Sequence, residues 1–167
     1  MQQIPDPGFA GDDGAVDAEV SAALTAYDAA PGDRDRALAA TAALQDSRVL
    51  VPVVAVLGEV EHDERGLAHD KSSDMAAVLM TGRDGRTALL AFTGSGPLRT
   101  WDPGARPVPV TLADAAASAV QDGAAALLVD VAGPVLFAIE GEDLTRLAAG
   151  ERLLRLADGG WGWAGTT

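Results

Sequence analysis

The sequence RTALLAFTGSGPLRTWDPGARPVPV, residues 86–110, decides the fold. An apolar run at residues 88–92 stops at a Gly-Ser-Gly tripeptide at 94–96, and a short segment with one arginine and one tryptophan follows. This order predicts a buried strand that leads directly into the start of a helix. In open α/β proteins such a junction brings backbone N–H groups and short hydroxyls to the end of a sheet, where ligands often bind. The junction is therefore the first place to look for a site.

Helix and strand patterns continue on both sides of this junction. Asp17 and Asp33 precede two apolar stripes of helical period and are expected to cap two helices, and Thr111 and the Glu142-Asp143 pair are expected to open two more. Valine-rich and alanine-rich runs between them predict strands, two pairs of which are joined as hairpins. The pattern predicts an α/β fold, a single α-β-α layered domain around a mixed sheet of about five strands.

The ends of the chain differ in composition from its middle. Residues 1–16 are rich in Gly, Asp and Pro and predict an extended N-terminal arm, and residues 17–157 carry the predicted α/β domain. Residues 158–167 hold two tryptophans between glycines, with too little apolar mass to predict a regular element. We expect them to form a flexible tail, and the sequence leaves open whether its tryptophans dock on the domain.

Composition excludes several classes of function. The 167 residues are 48% apolar, which predicts a folded core, and their net charge of −13 disfavours binding to nucleic acid. The absence of cysteine excludes disulfides, thiolate metal sites and a cysteine nucleophile. The longest apolar run, residues 49–57, is too short to span a membrane, and the first 17 residues contain no Lys or Arg. These features predict a cytoplasmic protein without membrane contact.

Four segments together resemble a known family. They are the strand VLVPVVAV at 49–56, the segment KSSDM at 71–75, the strand end AFT at 91–93 with its following tryptophan, and ARPVPV at 105–110. They resemble the N-terminal domain of the SseB family, named for enhanced serine sensitivity, in the form found in actinobacteria. The resemblance implies an α/β domain with no assigned reaction, so it supplies no catalytic residues.

Three kinds of chemistry are conceivable from the residue types present. A hydrolytic site would combine Ser95 and Asp130 with a histidine, and both histidines, His62 and His69, lie in one polar loop that ends near Asp70. The same loop contains metal-ligand types, although such loops are usually solvated, and whether it binds metal stays open. A small anionic ligand could bind at the strand–helix junction from Thr93 to Arg99, although neither a Walker lysine nor a dinucleotide-binding glycine pattern is present.

The sequence therefore favours binding over catalysis. We expect a non-catalytic protein-interaction or regulatory module that is not an enzyme and has no catalytic, metal or cofactor-binding residues and no cofactor. Its partner is an unidentified protein, its oligomeric state is open, and the alternative is the small anionic-ligand or hydrolytic site at the junction. The predicted contact surface consists of Thr93, Ser95, Arg99, Trp101 and Asp130.

Overall fold

The computed structural model describes residues 9–56 and 74–165. Within them, helices and strands follow one another as α1 (Ala18–Ala29), α2 (Arg34–Gln45), β1 (Arg48–Val56), β2 (Asp74–Ala77), β3 (Leu79–Thr81), β4 (Thr87–Ala91), α3 (Ser95–Trp101), β5 (Arg106–Thr111), α4 (Leu112–Gln121), β6 (Ala126–Val129), β7 (Phe137–Glu140), α5 (Gly141–Ala148), β8 (Arg152–Arg155) and β9 (Trp161–Ala164).

Side-chain caps fix the starts of three helices. The Asp17 carboxylate accepts hydrogen bonds from the first-turn N–H groups of α1, and Asp33 does the same for α2. Thr111 Oγ1 accepts the N–H of Asp114 at the start of α4. Each cap satisfies N–H groups that have no partner within the helix, so the three predicted caps are confirmed.

Strands β1 to β7 form two sheets that are joined by backbone hydrogen bonds. The first sheet has the order β2-β1-β5 and is antiparallel, and the second has the order β3-β4-β6-β7, in which β4 and β6 are parallel. Leu50 and Phe92 exchange two backbone hydrogen bonds of 2.8 Å and so connect β1 to the end of β4. The strand predicted at 75–81 is divided at Val78, whose backbone bonds to Pro52 and to Leu90. The sheet is therefore mixed, as predicted, with more and shorter strands.

Apolar side chains form a core on each face of the sheet. The larger core packs strand residues against α1, α2, α4 and α5. The smaller core lies on the opposite face beneath α3 and contains Leu50, Leu90, Phe92 and Leu98. Trp101 covers it, with its ring centroid 5.5 Å from that of Phe92. These layers confirm the predicted α-β-α arrangement.

The C-terminal segment contradicts the prediction of a flexible tail. Strands β8 and β9 pair as an antiparallel hairpin, with Leu153 opposite Trp163, so the predicted boundary at residue 158 falls inside a structural unit. The Gln45 side chain accepts the N–H of Leu153 and donates to its carbonyl, at 2.8 and 2.9 Å, which fastens the hairpin to α2. The prediction failed because α2 supplies the apolar partner that the tail itself lacks.

The two hairpin tryptophans should differ in their contribution to stability. Trp163 packs against the larger core, whereas Trp161 lies on the rim, where its Nε1 donates to Asp35 and Arg155 covers its ring at 4.3 Å. We expect Trp163→Ala to lower the free energy of unfolding by about 2 kcal/mol, and Trp161→Ala by under about 1 kcal/mol. Urea unfolding of both variants measures this. Equal losses of stability would show that the contacts of Trp161 with Asp35 and Arg155 hold the hairpin as strongly as the packing of Trp163 does.

Candidate functional site

Two parallel strands bring Thr93 and Asp130 together at one end of the sheet. Thr93 follows β4 and Asp130 follows β6, and parallel neighbours end at the same sheet edge. The backbone N–H of Thr93 donates to Asp130 Oδ1 at 2.8 Å, and Thr93 Oγ1 donates to Asp130 Oδ2 at 2.7 Å. Thr93 is 3% exposed and Asp130 is 1% exposed. The pair is a buried interstrand clamp that uses both carboxylate oxygens.

Asp130 has an unusual backbone and an unusual ionisation. Its φ of 54° is left-handed, a region that Asp and Asn tolerate better than most side chains do. Burial raises the pKa of the Asp130 carboxyl, while the hydrogen bonds from Thr93 oppose that shift. Asp130 and Thr93 also line a cavity of about 120 Å³, together with Val16, Leu24 and Pro134.

Arg48 forms a second polar cluster beside this pair. Its guanidinium binds the Asp12 carboxylate with both Nε and Nη2, at 2.5 and 3.0 Å. Nη1 donates to the Thr93 carbonyl at 2.6 Å, and Nη2 also donates to the Ala15 carbonyl at 2.8 Å. Arg48 is only 8% exposed, and its hydrogen bonds hold the pKa of Asp12 below the ordinary value. The cluster ties the N-terminal arm to the end of β4.

The arm passes so close to the strand–helix junction that glycine is required there. The Gly14 carbonyl accepts the N–H of Ser95 at 2.8 Å. A Cβ on Gly14 would lie within 2.2 Å of Ser95 Oγ, and Gly14 has a φ of 79°. A Cβ on Gly94 would meet the Gly14 carbonyl at 2.9 Å. Residues 9–16 therefore cover the junction that the sequence predicts to be open.

The predicted contact surface is only partly a surface. Thr93 and Asp130 are buried, so their inclusion is wrong for an exposed contact, and Ser95 and Trp101 are half-buried. Arg99 is exposed on α3. Ser95 does not cap α3, because Gly94 is the cap residue and makes no side-chain bond. Thr93 and Asp130 are buried because the arm and the turn after β6 both pack over the end of the sheet.

The described residues contain no assembled catalytic or metal centre. Ser95 and Asp130 line different depressions, and in residues 9–56 and 74–165 no buried side-chain polar atom lacks a hydrogen-bond partner. No group of three His, Asp or Glu side chains in this part of the chain could hold a metal ion. The predicted loop with His62, His69 and Asp70 lies outside the described residues.

Sequence reasoning missed Arg48 and Asp12 as site residues. Arg48 appears only as the first residue of an apolar strand, and Asp12 as one acid in a polar arm. A single charged side chain leading a strand that is otherwise buried is the signal that could have pointed to a paired guanidinium. Its partner is 36 residues away in sequence, so spacing does not reveal it.

An apolar groove lies on the opposite face of β1. Val51, Val53, Val108 and Val110 form its floor with Ala77, and α4 contributes Ser118, Gln121 and Asp122 to its wall. Its volume is about 450 Å³. In the part of the chain that the structure describes, α4 covers only one end of the strands β1 and β5, and the groove lies beyond it. Val108 is 39% exposed there.

Comparison with known families agrees with this architecture. The sequence model described as SseB protein N-terminal domain matches residues 20–146, from the first turn of α1 to the last turn of α5. The chain belongs to the SseB family. Arg48, Thr93 and Asp130 lie inside the part that matches the SseB domain, whereas the arm and the β8–β9 hairpin lie outside it.

Beyond the family, the comparisons give no closer relative. No curated protein and no solved structure matches the chain. That this SseB domain is of the actinobacterial type stays a prediction. Among the helices of residues 9–56 and 74–165, none has the length and apolar character needed to cross a membrane.

Proposed function

We propose that this SseB-family chain is a non-catalytic, cytoplasmic protein-interaction or regulatory module that binds its partner through the groove beside α4. The observation that carries the proposal is the valine face of β1 and β5 beside α4, which no element of residues 9–56 and 74–165 fills, with Val108 of the edge strand β5 39% exposed. Exposed apolar area of this kind, rimmed by polar side chains, is typical of protein-binding sites.

The state of the polar groups supports binding over catalysis. A general base or nucleophile needs a lone pair or a proton that can reach a substrate. Both Asp130 oxygens accept hydrogen bonds from Thr93, and the Arg48 guanidinium is shared among Asp12, Thr93 and Ala15. These groups hold the fold together, so chemistry at this sheet end would first have to break structural contacts.

The edge of β5 indicates how a partner would bind. The backbone N–H and C=O groups of Leu50 point toward Phe92. Because these groups point to alternate sides along a strand, those of Val51 point toward Val108 of β5. Pro107 and Pro109 therefore face the free edge, where they offer no N–H donors. A partner strand could not pair fully with this edge. We propose that the partner instead lays apolar side chains across the valines, with Lys or Arg around them, because the chain has a net charge of −13.

A negative charge introduced into the groove should strongly weaken the binding of the protein partner. We expect Val108→Asp to lose the protein that the wild-type chain captures from its native lysate, with affinity lowered about tenfold or more, because a carboxylate would be desolvated against apolar side chains. Quantitative capture with the tagged full chain measures this.

The matched control is Leu154→Asp, at a strand position of similar exposure, 45%, on the outer face of the terminal hairpin. It should leave capture unchanged. Melting temperatures of both variants establish that the fold is retained. Equal capture by wild type and both variants would contradict the proposal.

The alternative of a small anionic ligand between Thr93 and Arg99 has less support. The Ser95 N–H already donates to Gly14, and the Asp130 carboxylate beside Thr93 would repel an anion when it is ionised. The hydrolytic form of the alternative would need Ser95 and Asp130 in one crevice, and the two residues line separate depressions.

A further inference from the structure

On the face of β1 opposite the groove, the end of the sheet contains a preformed binding site for a carboxylate, called the receptor below. We propose that Arg48 is the centre of a binding site for an acidic peptide segment, and that residues 12–16 of the arm occupy this site as a built-in ligand. The inference goes beyond the proposed function, because Arg48 and Leu50 point away from the face of β1 that forms the groove.

The receptor side is preorganised. With the arm in place Arg48 is more than nine-tenths buried, and its Nη1 is fixed by the Thr93 carbonyl at 2.6 Å. This leaves Nε and Nη2 directed outward as a fork, the geometry that binds a carboxylate through two parallel hydrogen bonds. The Ser95 N–H and the second bond of Nη2 add donors for two peptide carbonyls. The receptor therefore recognises one carboxylate and the carbonyl groups of the peptide residues that follow it.

The ligand side is a five-residue pattern. Asp12 supplies the carboxylate, and the carbonyls of Gly14 and Ala15 accept the two further bonds. Gly14 is required because of its positive φ and its contact with Ser95. The Asp13 carboxylate bonds only to the N–H of Ala15, within the arm itself. Val16 lies against Gly94, so the site should select Asp-x-Gly-x-Val over other acidic sequences.

The arm is suited to exchange with a segment of another protein. Residues 9–16 contain no helix or strand, and the arm lies outside the part of the chain that matches the family. Asp12 and Val16 stay partly accessible, with the Asp12 side chain 21% and Val16 36% exposed. Because the arm is tethered, its effective concentration at Arg48 is in the millimolar range, so a free peptide competes only when the arm is weakened.

The test uses the full chain and a fluorescent peptide with the sequence of residues 9–17. We expect the peptide to bind Asp12→Ala about tenfold more tightly than wild type or Asp13→Ala, measured by fluorescence anisotropy. Asp13→Ala is the matched control, because it removes a neighbouring carboxylate of equal charge that does not contact Arg48. A peptide with alanine in place of the aspartate equivalent to Asp12 should not bind, and Asp12→Ala combined with Arg48→Lys should lose most of the affinity.

Hydrogen exchange at the Ser95 amide shows whether the arm has left the site. We expect faster exchange in Asp12→Ala than in Asp13→Ala, and renewed protection when the peptide is added. The proposal is overturned if Ser95 exchange is the same in both variants. It is also overturned if exchange rises in Asp12→Ala but the peptide neither binds nor restores protection.

Discussion

Replacing Asp130 by alanine should lower the free energy of unfolding by about 3–7 kcal/mol. The substitution leaves the buried N–H and hydroxyl of Thr93 without their acceptors, which costs about 1–3 kcal/mol for each unsatisfied group. It also places alanine at a left-handed φ of 54°, which costs about 1 kcal/mol more. Urea unfolding measures the sum.

Two further variants separate these causes. Asp130→Asn keeps an acceptor for the Thr93 N–H and tolerates the left-handed backbone, so it should lose only about 1 kcal/mol. Asp130→Gly removes the backbone strain but not the lost hydrogen bonds, so its stability should lie between those of the other two. If alanine and asparagine cost the same, the clamp between Thr93 and Asp130 does not stabilise the fold.

The difference in stability between wild type and Asp130→Asn should also depend on pH, with a known sign. Burial raises the native pKa of Asp130 above 3.8, so the unfolded chain releases this proton at a lower pH than the native chain does. Between the two pKa values the unfolded chain binds fewer protons, and stability falls as pH rises. The advantage of wild type over Asp130→Asn should therefore shrink as pH rises from about 3.8 and become constant above the native pKa. A stability advantage that does not change with pH would contradict the raised pKa of a buried Asp130.

Arg48→Met should lower the free energy of unfolding by about 2–4 kcal/mol. The substitution removes a buried guanidinium that donates four hydrogen bonds, and the carbonyl of Thr93 loses a charged donor at 2.6 Å. The Asp12 side chain is 21% exposed and can recover some hydration, which keeps the loss below that for a fully buried ion pair. Thermal or urea unfolding of the full chain measures the loss.

Arg48→Lys serves as the control for charge. Lysine keeps the positive charge but cannot reach Asp12, Thr93 and Ala15 together, so it should recover less than half of the loss. A lysine variant as stable as wild type would show that charge alone, without the fork, holds the arm.

The sequence predicts those parts of the fold that depend on local patterns. Asp17, Asp33 and Thr111 act through the next three residues, and the turn at Asp84-Gly85 joins β3 and β4 as an Asp-Gly pair predicts. The α-β-α layering follows from the order of such elements. These features need no knowledge of distant contacts.

The failures involve partners that are far apart in sequence. The β8–β9 hairpin depends on Gln45, 108 residues from Leu153, and the Asp130 carboxylate is paired with Thr93, 37 residues away. The cover over the junction was missed because the arm contacts it through Arg48 and Ser95, which are distant from the arm in sequence. Long-range pairing of this kind leaves no period in the sequence, so the pattern did not show that Thr93 and Asp130 of the predicted contact surface are buried.

The most direct test of the account compares one surface variant with one interior variant. For the captured partner, dissociation constants are measured by titration calorimetry for wild type, Val108→Asp and Asp130→Asn. The account predicts that Val108→Asp weakens binding about tenfold or more, while Asp130→Asn binds as wild type does, because Asp130 stabilises the fold and does not face the partner. Loss of binding in a folded Asp130→Asn, with Val108→Asp unaffected, would contradict it.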